Sequence, residues 1–151
     1  MANEIQADYA SGNTLYAVVR DISGKVWYVA GEVFEAWGTD GRDADDYDIA
    51  LTDESGSRYV GNLDSNIPPG GYSVQIFLQA GANPANSDTL ISSEEILWSG
   101  SGKITADKLL ANKAVQNKST GEIKYFDDDG QTVLLTHTPS ENQTSITKTP
   151  G

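Results

Sequence analysis

Cysteine is absent from this chain of 151 residues, and histidine occurs once, as His137. The first absence removes disulfides, thiolate metal sites and thiol nucleophiles together. The second leaves no multi-histidine metal site within one chain. Basic residues are few, ten Lys and Arg against 22 Asp and Glu, for a net charge of −12. Nucleic acid is therefore not an expected partner, because neutralising phosphates takes clustered cations. No apolar run approaches the ~18 to 20 residues that cross a bilayer, so no membrane span is predicted. Met1 to Glu4 lacks the basic start and apolar stretch of a signal peptide, which predicts synthesis in a cytoplasm without secretion by a signal peptide. No phosphate loop, nucleophile elbow or dinucleotide fingerprint occurs, and the chain reads as non-enzymatic.

What is present is β-forming sequence with turn residues at short intervals. The best-specified stretch is Gly121 to Pro139 (GEIKYFDDDGQTVLLTHTP). Ile123 to Phe126 and Thr132 to Thr138 are β-branched, aromatic or aliphatic. Asp127-Asp128-Asp129-Gly130 between them supplies a type I turn closed by a left-handed glycine. Simple alternation places Ile123, Tyr125, Val133 and Leu135 on one face and Phe126 and Leu134 on the other. A hairpin apolar on both faces is marginal alone and needs cover.

From Glu4 to Gly100, short alternating runs recur about every ten residues. Thr14 to Asp21 is the clearest strand, and a Ser23-Gly24 turn leads into Val26 to Tyr28. Glu32 to Trp37, Ser57 to Val60, Tyr72 to Gln79 and Thr89 to Trp98 follow. Asp46 to Asp53 is expected to be a strand with Tyr47, Ile49 and Leu51 on one face. About seven antiparallel strands predict an immunoglobulin-like β-sandwich over residues 1–100. Ser99-Gly100-Ser101-Gly102 then reads as a linker into a second module, 101–151. Charge changes there: residues 1–100 hold 16 acidic and four basic side chains, and 101–151 hold six of each. Ile104 to Lys118 is the one stretch with helical periodicity. Thr105 is its expected N-cap, and Ala106, Leu109, Leu110 and Ala114 form its apolar stripe. Its lysines, at every fifth position from 103 to 118, spiral around it and make no basic face. A further short strand is expected at Thr144 to Thr147. So small a module is a weak core by itself and is expected to be completed by a partner.

Three groups of side chains invite chemical readings. Asp40, Asp43, Asp45, Asp46 and Asp48 crowd one loop and are candidate Ca²⁺ ligands, although the spacing lacks the pattern of a dedicated calcium loop and a solvated acidic loop is the favoured reading. Trp37 beside that loop, with Tyr47, is a candidate stacking platform for a glycan, against the alternative that each aromatic is core. Glu94 and Glu95 fail as a glycosidase pair, because strand neighbours point to opposite faces. The Asp127 to Asp129 run is turn chemistry, and His137 a packing or hydrogen-bonding residue.

The runs ADYASGNTLYAVVRDISGKVWYV, YDIALTD and PPGGYSVQIFLQAG resemble the opening domain of small structural proteins of tailed bacteriophages, found in tails, baseplates and fibres. LLANKAVQNKSTGEIKYFDDDGQTVLLTHTP is similar to a helix-plus-hairpin module closing many such proteins. The resemblance implies a virion subunit, tail or baseplate associated, with head decoration as the nearest variant. Its implied partners are other virion proteins or copies of itself. The docking surface would comprise Leu109, Leu110, Ala114, Tyr125, Phe126, Leu134 and Leu135. The alternative reading is a carbohydrate-binding module for host attachment.

Overall fold

A computed structural model describes the backbone of residues 3–141 and 146–150 and the side chains through residue 139. Close contacts divide the chain into two units, Met1–Lys103 and Ile104–Gly151.

The first unit is an antiparallel β-sandwich. Its larger sheet runs in the order β4 (Val33–Glu35), β3 (Val26–Tyr28), β2 (Leu15–Asp21), β8 (Gly70–Leu78) and β9 (Thr89–Trp98), with β5 (Ile49–Ala50) also paired to β2. The smaller sheet is β1 (Ile5–Asp8), β7 (Arg58–Gly61) and β6 (Thr52–Asp53). Strand β2 is the organising element. Its residues 15–19, LYAVV, are all buried, because both faces of the strand are covered. Leu15, Ala17 and Val19 face the core between the sheets, with Ile5, Tyr59, Val74, Ile76, Trp27 and Trp98. Tyr16 and Val18 face outward into a second cluster with Val26, Ala44 and Tyr47. A continuous apolar run is what a doubly covered strand requires. The core tryptophans are also satisfied chemically: Trp98 Nε1 donates to the Ile67 carbonyl at 3.0 Å, as a buried indole needs.

Two sequence expectations are corrected in this unit. Residues 46–53 do not form one strand. Ala44–Tyr47 is a single helical turn, α1, and the chain then splits into β5 and β6, which join different sheets. The cause is a capping box. The Asp43 carboxylate accepts from the Asp45 amide at 3.2 Å, and Asp46 reaches back to the Asp43 amide at 3.0 Å, satisfying donors that a helix start leaves open. The segment Ser99–Gly102 is a closed turn, with the Ser99 amide donating to the Gly102 carbonyl at 3.0 Å and Trp98 bridged to Lys103.

The second unit is a four-stranded antiparallel sheet, β10 (Ala114–Gln116), β11 (Ile123–Phe126), β12 (Val133–Glu141) and β13 (Ile146–Pro150), with the helix α2 (Ala106–Ala111). The hairpin of β11 and β12 turns through Asp127 to Gly130, where Gly130 has φ +65°. Lys108 pairs with Asp127 at 2.8 Å, and the Asn112 side chain donates to Asp128 at 2.8 Å, so α2 is pinned to the hairpin turn. Here too two expectations change. The helix stops at Ala111 rather than reaching Lys118, and Ala114–Gln116 pairs with β11. Its Thr105 N-cap makes no side-chain capping bond. A helix this short gains little against its nucleation cost, and β-branched Val115 suits the strand that follows. A bulge between Tyr125 and Phe126 pairs Leu135 with Tyr125 but Val133 with Phe126, moving Val133 from its expected face. Of the strand expected at 144–147, Ile146 and Thr147 lie in β13, and Thr144 and Ser145 lie outside the described residues.

Candidate functional site

A concavity lies on the outer face of the large sheet, where the segment 36–48 leans over β2 and β8. The segment is shaped by left-handed residues at Gly38, Asp40 and Gly41, with φ of 81°, 54° and 81°. It is anchored from beneath by a polar cluster. Glu35 accepts from Arg42 Nη1 at 2.9 Å and from the Tyr47 hydroxyl at 2.9 Å, and Tyr47 in turn accepts from the Gly38 amide at 3.2 Å. The Arg42 guanidinium sits 4.0 Å over the Tyr28 ring. Burial, followed by the hydrogen bond to Glu35, raises the Tyr47 phenol above its usual value, so the hydroxyl stays protonated and donating.

Trp37 rides on this base. Its ring centroid is 4.9 Å from that of Tyr47, and Arg20 lies 4.9 Å over it on the sheet side. Beside it opens a groove of about 350 Å³, lined by Tyr16 and Arg20 of β2, Gln75 and Phe77 of β8, Leu90 of β9, and Trp37, Ala44, Ala85 and Asn86. Tyr16 and Phe77 are direct cross-strand partners and stack with centroids 5.3 Å apart. Leu90 reaches the same face because a bulge pairs Phe77 with Leu90 while Ile76 pairs with Ser92.

The polar groups of the groove have fixed roles. Arg20 Nε donates to Gln75 Oε1 at 2.8 Å, and Nη1 to the Gly24 carbonyl at 3.0 Å. Since an arginine nitrogen only donates, the Gln75 atom it meets is the oxygen, and the Gln75 amide NH₂ is left over. The Ala44 amide donates to Asn86 Oδ1 at 3.1 Å, which by the same logic fixes Asn86 with its NH₂ unused. Tyr16 is otherwise engaged, its hydroxyl directed at Asp88 Oδ2 at 3.2 Å. Desolvation first, and the Asp88 charge second, push this phenol well above its ordinary range.

The residues singled out in the sequence are placed as follows. Trp37 is 36% exposed and lines the groove, whereas Tyr47 is fully buried and supports Trp37 without offering a surface. Asp43 and Asp46 spend carboxylate oxygens on the helix cap, and Asp40 pairs with Arg42 at 3.4 Å. Asp45 is exposed and Asp48 half-buried. Among the described residues no three His, Cys, Asp or Glu side chains gather as a metal cluster. Glu94 and Glu95 face opposite sides of β9, opposite Val74 and Ser73, and Glu94 pairs with Lys103 at 2.6 Å. His137 pairs across from Ile123 and meets the Tyr125 ring edge-on at 5.4 Å. In the second unit Leu134 is buried, Leu109, Tyr125, Phe126 and Leu135 are half-buried, and Leu110 and Ala114 are exposed.

Arg20, Gln75, Phe77, Asn86 and Leu90 were not singled out from sequence. The signal for Arg20 and Gln75 lay in the alternation of two strong strands, which puts both on the face opposite the core. Asn86 sits in a small-residue loop with no pattern to mark it. Comparison with known protein families, curated proteins and solved structures finds no match to this chain.

Proposed function

We propose that this chain is a non-enzymatic structural or adaptor subunit of a bacteriophage particle, tail, baseplate or fibre associated or, as the nearest variant, decorating the head, and that it docks through residues 104–151. One observation carries the docking role. Among the described side chains of 104–139, Leu134 is the only buried hydrophobic, while Leu110 is 88%, Val115 46% and Val133 41% exposed. With so little interior among its described side chains, the unit gains from burying that surface against a neighbour, either another virion protein or a second copy. The phage setting rests on the sequence resemblance.

The test uses the full chain, tagged in the phage or prophage that carries its gene. Particles are sedimented and probed for the tag, and the purified protein is weighed by light scattering. Co-sedimentation or a stable oligomer, lost in Leu110→Asp and Val115→Asp while the melting temperature holds, supports the reading. A monomer absent from particles overturns it.

A second reading is favoured by the groove beside Trp37: a carbohydrate-binding surface, with aromatic and aliphatic walls and a few fixed polar groups, as such sites require. A glycan array probed with and without a chelator tests it, and an array blank in both conditions ends it.

A further inference from the structure

We infer that the groove beside Trp37 takes an acidic pyranose, a sugar ring bearing a carboxylate, with Arg20 meeting the charge. The inference rests on the second reading above and names its ligand class.

Arg20 is the cation of the groove, and it is unusually placed. In a chain of net charge −12, this half-buried guanidinium forms no ion pair with any described carboxylate. Its partners are the neutral Gln75 oxygen, the Gly24 carbonyl and the Trp37 ring. Nη2 makes no hydrogen bond among the described residues. Burial pushes its pKa below the usual arginine value, which an arriving anion would reverse. The other free polar groups are donors as well: the NH₂ of Gln75 and the NH₂ of Asn86, each fixed because its oxygen is already used. None of the residues lining the groove is a carboxylate. Three unused donors, one of them charged, call for a ligand rich in acceptors and carrying negative charge.

The remaining walls are Trp37, Phe77, Leu90, Ala44 and Ala85. They favour a ligand with an apolar face over a bare inorganic anion. A pyranose supplies that face through its ring C–H groups, and about 350 Å³ accommodates one such ring with its substituents. Uronic and sialic acids share this chemistry.

Calorimetric titration of the full-length protein tests it with four probes: methyl β-D-glucuronide, the methyl α-glycoside of N-acetylneuraminic acid, methyl β-D-glucoside and sodium acetate. One or both acidic sugars should bind about tenfold or more tightly than the glucoside and than acetate. Two near-isosteric variants keep the structural oxygens and replace the free NH₂ by carboxylate oxygen: Gln75→Glu, which also occupies Arg20, and Asn86→Asp. Each should weaken the acidic sugar by about tenfold or more with the circular dichroism spectrum unchanged. Glucoside binding as tightly as the acidic sugars, or indifference to both variants, overturns the acidic assignment while the glycan reading stands. Acetate binding as tightly as the acidic sugars overturns the sugar assignment. Silence from every sugar probe overturns the inference, and a blank glycan array beside it removes the glycan reading too.

Discussion

Tyr47 and Glu35 are joined by a hydrogen bond of 2.9 Å from the phenol to the carboxylate, on the same oxygen that Arg42 meets at 2.9 Å. This junction fixes the segment carrying Trp37, because the Tyr47 oxygen also receives the Gly38 amide. Tyr47→Phe keeps the ring and removes both bonds. It should cost roughly 1–3 kcal/mol, the range for losing a hydrogen bond to a charged carboxylate. Urea denaturation measures this, and a change under about 0.5 kcal/mol, typical of a neutral surface substitution, would show that the junction does not support the segment.

The two units should respond oppositely to loss of an apolar side chain. Leu15 is wholly buried, and Leu15→Ala should destabilise the sandwich by about 2–5 kcal/mol through lost transfer energy and the cavity left behind. Leu110, at 88% exposure, has no such contribution, and Leu110→Ala should stay within about 0.5 kcal/mol. Chemical denaturation at low concentration, where neighbours are absent, separates the two.

Glycine is required at two points of the second unit for different reasons. Gly130 holds φ +65° in open space, so Gly130→Ala meets only the backbone penalty of about 1–2 kcal/mol. Gly121 holds φ +73°, and an added Cβ would lie 2.8 Å from Pro139 Cγ. Gly121→Ala should therefore cost more than Gly130→Ala. Hydrogen exchange of the β11 and β12 amides reads the difference, and equal protection in the two variants would contradict it.

Acid should loosen the sandwich through Asp53 and Asp88. The Gly12 amide, at 2.7 Å, is the chief cause holding Asp53 below the ordinary carboxylate range, and the Ala80 amide, at 3.0 Å, does the same for Asp88. A depressed folded pKa means stability that is fully present above the unfolded value, ~3.9 for aspartate. It is lost as pH falls through the lower folded value. Melting temperature should thus fall below about pH 4, and with a shallower slope in Asp53→Asn. An equal slope in wild type and variant would show that the Gly12 contact stores no charge-dependent stability.

Much of the sandwich was legible because its strands carry strong local patterns. Tyr72, Val74 and Ile76 alternate and are buried, and Thr89 to Trp98 is a strand with the bounds read from sequence. The failures share a cause. At Asp43 to Tyr47 a side-chain cap overrode the alternation of Tyr47, Ile49 and Leu51. At Ala114 to Gln116 pairing with β11 overrode a weak helical period. Both outcomes depend on partners that local pattern does not record. Of the groove, only Trp37 was foreseen, since its other walls come from four separated stretches and one depends on a strand irregularity.

That irregularity, where Phe77 faces Leu90 while Ile76 faces Ser92, makes the register of β9 part of its chemistry. Were the same residues to pair without it, Phe77 would face Ile91 and Leu78 would face Leu90, taking Leu90 from the groove wall and turning Ile91 away from the core it now packs against. One unpaired position at the start of the strand thus decides which of two adjacent apolar side chains is wet and which is dry.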